Sequence, residues 1–190
     1  MGLMDGKKGI IFGVSNKFGI ANAIAEQLHA QGAEIAFTYA NEAMEKRVRP
    51  IAESMNAKMC LECDVTKEED VKKVFDEYAK IYDKLDFVVH AVAFANKDDL
   101  IGDFYTTSRE GWDLAMHVSA YSLVTISKYA KPQMEASGGG SILALTYLGA
   151  TKVVANYNIM GVAKAALESS MRFIAADLGK YNIRCNCLSA

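Results

Sequence analysis

Apolar residues fall into short, nearly continuous runs separated by amphipathic stretches, and the two kinds alternate from end to end. The runs Lys8–Gly13, Glu34–Tyr39, Lys58–Glu62, Leu85–His90, Ser141–Thr146 and Ile183–Leu188 predict strands. The stretches between them predict helices. Ile20–Gln31 is stopped by Gly32, and Glu42–Met55 carries Pro50 against its second half. The capping box Thr66-Lys67-Glu68-Glu69, with Thr66 as N-cap, opens a helix to about Tyr82. Thr107-Ser108-Arg109-Glu110 opens another, to about Lys131 before Pro132, and Asn156–Lys180 is the last. Strands alternating with helices of this length form βαβ units around a parallel sheet, and strands apolar on both faces are expected where helices cover both sides. Right-handed crossovers make this an α/β, doubly wound parallel sheet of order 3-2-1-4-5-6, with residues 1–190 as one domain.

In such sheets ligands sit beyond the carboxyl ends of the strands, where the strand order reverses. The segment Gly13–Gly19 links the first strand to the first helix. Gly13 permits the tight turn, and Gly19 opens the helix whose N-terminal amides can face a pyrophosphate. The spacing is not G-x-G-x-x-G, and two glycines in a βα turn are equally compatible with a plain turn. Asp64, directly after the third strand, can accept from an exocyclic adenine amine, or else assist the cap of the next helix; the cofactor role is favoured. The second strand ends Thr38-Tyr39-Ala40-Asn41, with neither the carboxylate expected for the ribose of NAD nor the Arg expected for the phosphate of NADP. The reading leans to NADH and leaves NADPH open. The connection Ala91–Thr106 is long, and long ordered connections usually carry function.

Composition narrows the partners. Hydrophobic residues make up 51% and charged residues 23% of the 190, with a net charge of −2, which fits a globular core and gives nucleic acid or an anionic membrane no electrostatic attraction. No apolar run reaches membrane-spanning length, and Met1 to Gly6 leads into no long apolar stretch, so no signal peptide is expected; Gly6 also sits where a myristoylation motif wants Ser or Thr. Cys60-x-x-Cys63 and the pair Cys185 and Cys187 raise a zinc or redox reading, but the strand order puts the pairs on opposite sides of the sheet. They are read as free structural thiols in a reducing cytoplasm, with no metal site.

The chemistry-bearing residues lie late. Tyr147 follows the fifth strand, Tyr157 begins the last helix, and Lys164 stands seven residues after it. Two helical turns place Tyr157 and Lys164 on one face, roughly 10 Å apart along the axis, within reach of one ligand. An ammonium near a phenol lowers its pKa and can hold ribose hydroxyls. Taken alone, the pair is better described as a helix with a half-buried Tyr and an exposed Lys.

The run Ser141–Ala150 with its Tyr147-Leu148-Gly149, followed by Asn156-Tyr157-Asn158-Ile159-Met160-Gly161-Val162-Ala163-Lys164-Ala165, resembles the signature of bacterial NADH-type enoyl-acyl-carrier-protein reductases. Gly13–Ala21, Ala36–Tyr39, Asp64-Val65 and His90–Ala95 are similar to the same family, within the short-chain dehydrogenase/reductase superfamily and its Rossmann fold. Carbonyl-reducing relatives have Ser where Tyr147 stands and a Lys only four residues after the Tyr. The resemblance implies hydride transfer from NADH to the β-carbon of a trans-2-enoyl thioester carried on acyl carrier protein, in fatty-acid synthesis, by a cytoplasmic homotetramer. It implies that Tyr157 stabilises the enolate, that Tyr147 lines the substrate pocket, and that Lys164 anchors the nicotinamide ribose. Gly13, Gly19, Ile20, Asp64, Val65 and Val92 would meet the cofactor, and Ala95 the substrate. Gly19 replaces the family's usual Ser before Ile20-Ala21, and Ala40 a residue often polar. The family continues past Leu188-Ser189-Ala190 with Gly-Pro, a helical loop over the substrate and another strand, so the resemblance implies that the C-terminal lid and last strand lie outside this sequence. A carbonyl or alcohol dehydrogenase on the same fold, and a nucleotide-binding homologue without turnover, are the alternatives.

Overall fold

The computed structural model describes residues 2–190; Met1, the first residue of the stretch read as carrying no leader, lies outside them. Six strands form one sheet: β1 (Lys8–Phe12), β2 (Glu34–Tyr39), β3 (Cys60–Glu62), β4 (Phe87–His90), β5 (Gly140–Thr146) and β6 (Ile183–Ser189). Every neighbouring pair is parallel, and the order is β3-β2-β1-β4-β5-β6, as the chain's alternation predicts. Side-chain alternation along β1 builds the two cores. Ile10 and Phe12 enter the layer of Val71, Leu123, Ile142 and Leu167 on one face, while Ile11 joins Ala25, Ile35 and Val48 on the other. Apolar strands therefore serve two helical layers at once.

The helices are α1 (Ile20–Ala30), α2 (Glu42–Ser54), α3 (Glu68–Ile81), α4 (Arg109–Met116), α5 (Ser122–Ala136) and α6 (Asn158–Leu178). Several boundaries differ from the sequence reading, for identifiable reasons. Thr66 does not cap α3: its amide and hydroxyl both donate to Asp64 Oδ1, and Lys67 occupies the N-cap position without a side-chain bond. Ser108, not Thr107, caps α4 by accepting from the Gly111 amide. Pro132 does not end its helix, and α2 likewise runs through Pro50. Both prolines, and Lys46 and Lys128 four residues before them, are exposed, so the carbonyls left without an intrahelical donor lie on solvent-facing parts of the helices. The predicted single helix from Thr107 is thus α4, a π-helical turn at His117–Tyr121, and α5. Cys60 and Cys63 lie at the β3 edge and Cys185 and Cys187 in β6, all four unpaired, and no cluster able to hold a metal occurs among the described residues. No described helix is long and apolar enough to cross a membrane.

Candidate active site

The carboxyl ends of β1, β4 and β5 frame a cavity of about 520 Å³. Its floor is the β1–α1 turn. Gly13 has φ +96°, and a Cβ there would stand 2.3 Å from the Ala91 carbonyl oxygen, so only glycine lets the two strand ends close up. Gly19 precedes α1 with no side-chain cap and no acidic residue in the first turn. The Asn22 amide donates to the Gly19 carbonyl oxygen, which leaves the Ile20 and Ala21 amides available to an anion, as a pyrophosphate requires. Gly19 and Ile20 line the cavity beside Ser15.

The far wall is built by the β5–α6 connection. Asn156 adopts a left-handed conformation, φ 59°, which an asparagine tolerates, and Tyr157 follows as the N-cap residue; the helix proper starts one residue later, at Asn158. This sharp turn sets the Tyr157 ring into the cavity, edge-on to Tyr147 with centroids 4.8 Å apart. Gly149 permits the arrangement, because a Cβ there would come within 2.5 Å of the Tyr157 ring. Tyr157 also walls a second cavity of about 410 Å³ lined by Phe104, Gly149, Gly161 and Val162.

Lys164 is only 5% exposed, so the exposed-lysine reading is incorrect. Its Nζ donates to the Leu145 carbonyl oxygen at 2.7 Å, and burial pulls its pKa down to about 8. One expectation is overturned in sign. The Tyr157 phenol is held above its ordinary value, first by burial and then by Tyr147, and Lys164 does not lower it because the ammonium is turned to β5. Tyr157 is accordingly a protonated hydroxyl donor at neutral pH.

Of the residues singled out in the sequence, Gly13, Gly19, Ile20, Tyr147, Tyr157 and Lys164 meet in this cavity. Asp64, Val65, Val92 and Ala95 do not line it. Asp64 accepts from Thr66, and its own amide donates to Asp70 Oδ2. Burial works to raise its carboxyl, but the Thr66 donors and Lys67 together hold it below the usual range. Val65 is buried in the core, Val92 packs half-buried against it, and Ala95 is half-buried in the connection after β4. Ala91 and Ala93 of that connection do line the cavity, as does Thr146. The connection had been marked by its length, but alanines carry no chemical signature that would single them out.

A sequence-family model described as enoyl-(acyl carrier protein) reductase matches residues 13–190. The NADH enoyl-[acyl-carrier-protein] reductase of Rickettsia prowazekii (strain Madrid E) is 46% identical over 189 residues, which is 100% of this chain and 72% of that protein. The crystal structure of the Anaplasma phagocytophilum reductase in complex with NAD matches with a TM-score of 0.95 at 50% identity, over 99% of this chain and 71% of that one. A Bacillus cereus enoyl-acyl carrier protein reductase, with NADP+ and an indole naphthyridinone, matches with a TM-score of 0.95 at 45% identity, over 100% of this chain and 74% of that one.

Proposed function

The chain belongs to the enoyl-(acyl carrier protein) reductase family, and we propose that Tyr157, Tyr147 and Lys164 are the groups with which it reduces a trans-2-enoyl thioester at the expense of NADH. The observation that carries the assignment is a pair of edge-on tyrosines and a buried lysine around one cavity at the strand ends. NADH, when bound, supplies the hydride. Gly13, Gly19 and Ile20 would hold its pyrophosphate at the α1 N-terminus, and Lys164 its nicotinamide ribose. Asp64, Val65 and Val92 remain proposed contacts of the adenine and nicotinamide ends. Asp64 keeps Oδ2 free of the bonds that occupy Oδ1, apart from Lys67 Nζ at 3.7 Å, which supports an adenine contact.

Tyr157 donates its hydroxyl to the thioester carbonyl as negative charge develops there. A neutral phenol in a partly buried site stabilises an enolate oxygen more strongly than it does the uncharged carbonyl. Tyr147 fixes the ring of Tyr157 by edge contact and closes the pocket from the β5 side, and Ala95 is proposed to meet the substrate. Consumption of NADH with a crotonyl thioester, and none with a panel of simple ketones, is the expected outcome; ketone turnover without thioester turnover would instead support a carbonyl dehydrogenase.

Lys164 gives the cofactor site a predicted pH dependence. The ammonium is the form that donates to ribose oxygens, and in the free chain it is lost above about pH 8. NADH affinity should therefore fall as pH rises through that value, by at most about tenfold per unit. The fold itself responds oppositely. The lysine is charged more readily when unfolded, so stability from this group increases as pH climbs from about 8 towards the ordinary 10.5. Calorimetric titration of Lys164→Met should show weaker binding and lose the dependence; an unchanged wild-type profile in that variant would remove Lys164 from the ribose site.

We further propose a cytoplasmic homotetramer that accepts acyl-carrier-protein-bound substrate. Exposed apolar side chains on α4 to α6, namely Trp112, Tyr121, Val124 and Phe173, support burial against further copies, and the reaction's need for reduced NADH supports the compartment. Sedimentation velocity giving a monomer at micromolar concentration would contradict the tetramer.

A further inference from the structure

The connection that leaves β4 lines the cavity through Ala91 and Ala93; the Ala91 amide still donates to the Phe12 carbonyl oxygen of β1, and beyond Ala91 no neighbouring strand pairs with it. Its polar groups are held instead by the π-helical turn His117–Tyr121. Ser119 Oγ accepts from the Phe94 amide at 3.0 Å and donates to the Phe94 carbonyl oxygen at 3.2 Å, so one hydroxyl satisfies both backbone groups of that residue. Three residues further on, Ser122 Oγ lies 2.7 Å from His90 Nε2 and donates to the Val118 carbonyl oxygen at 2.6 Å. The His90 ring must then donate through Nε2. It stays neutral throughout the physiological range, because full burial, and then the charge of Lys164, hold its pKa down to about 3. Ser119, Ser122 and His90 are all completely buried. Both ends of the segment His90–Phe94 are thus gripped by hydroxyls from a single helical turn, and its middle is pressed against Gly13.

π-turns inside helices interrupt regular hydrogen bonding and are found mostly where a helix serves a site. This one is flanked by ordinary α-helix on both sides, and its buried Ser119, with Ser122 at the start of α5, reaches a loop that contributes Ala91 and Ala93 to the cavity. We infer that Ser119 is a positioning residue for the reaction, setting the backbone of the segment from Ala91 to Ala95 against the nicotinamide side of the cavity, with Ser122 and His90 fixing its origin at the sheet. The inference rests on the enoyl reductase reading of the same cavity.

The test compares wild type, Ser119→Ala and Ser127→Ala. Ser127 is a suitable control, since it is buried on α5 and its hydroxyl has no partner among the described residues. Each protein is measured for NADH affinity by calorimetry, for kcat and KM with a crotonyl thioester, normalised to the NADH-binding fraction, and for amide exchange at Phe94. Ser119→Ala should expose the Phe94 amide to faster exchange and lower kcat/KM at least tenfold, with NADH affinity within about threefold of wild type. Ser127→Ala should match wild type. Unchanged kinetics or unchanged Phe94 exchange in Ser119→Ala would overturn the inference, and so would a parallel loss of NADH binding and turnover, which marks a merely structural serine. A wild-type protein that reduces no enoyl thioester would overturn the functional reading instead, while the exchange result still decides whether the clamp exists.

Discussion

Tyr157→Phe lowers kcat for a short enoyl thioester by about 10²- to 10³-fold, the effect typical of removing one donor to a developing oxyanion. The change deletes only the hydroxyl. The ring keeps its edge contact with Tyr147 and its packing over Gly149, so the cavity holds its shape. NADH affinity should stay within about twofold, because the lost bond matters mainly as charge builds on the thioester oxygen. Single-turnover kinetics with saturating NADH separates chemistry from binding. A rate within about threefold of wild type would remove Tyr157 from the mechanism, and would direct attention to Tyr147 as the donor.

Gly13→Ala acts on the other half of the site. At φ +96° a side chain is strained by roughly 1–3 kcal/mol, and the added Cβ would meet the Ala91 carbonyl at 2.3 Å, which nothing but backbone movement can relieve. Overpacking of that kind costs about 1–3 kcal/mol more. For a domain of 190 residues the sum corresponds to a fall in Tm on the order of 10 °C. Separation of β1 from β4 would also displace the floor under the pyrophosphate, so NADH affinity should drop at least tenfold even well below the new Tm. Thermal unfolding and cofactor titration of the same preparation check both parts. Wild-type affinity in a folded Gly13→Ala protein would mean that the β1–α1 turn does not cradle the cofactor.

The strand order was legible from the chain because it depends on two features written locally, the apolar runs and the intervening amphipathic stretches, combined with the handedness of βαβ crossovers. Spacing alone left Tyr157 and Lys164 as an ordinary helix face; the resemblance around Tyr147-Leu148-Gly149 and Asn156–Ala165 singled the residues out, and all three line one cavity. What escaped depends on contacts distant in sequence. The hydrogen bond from Lys164 to Leu145 joins α6 to β5 and turns the ammonium there, while burial and then Tyr147 raise the Tyr157 phenol. The π-turn has no compositional signature, and its grip on His90 and Phe94 crosses 25 to 32 residues. The misplaced caps have a local cause: at each helix start two hydroxyl or carboxylate side chains compete. Asp64 took the donors at α3, and Ser108 displaced Thr107 at α4. Pro50 and Pro132 misled because the cost of a proline within a helix depends on whether the carbonyl it orphans can reach water, which only the fold decides.

The central claim is that the cavity between β1, β4 and β5 transfers hydride to carbon rather than to a carbonyl. NADH carrying deuterium at its transferable position, incubated with this protein and a crotonyl thioester, should give a butyryl thioester with one deuterium on the β-carbon, and Tyr157→Phe should slow its appearance without moving the label. Deuterium on a carbinol carbon, or NADH oxidation with no label on the β-carbon, would contradict the account.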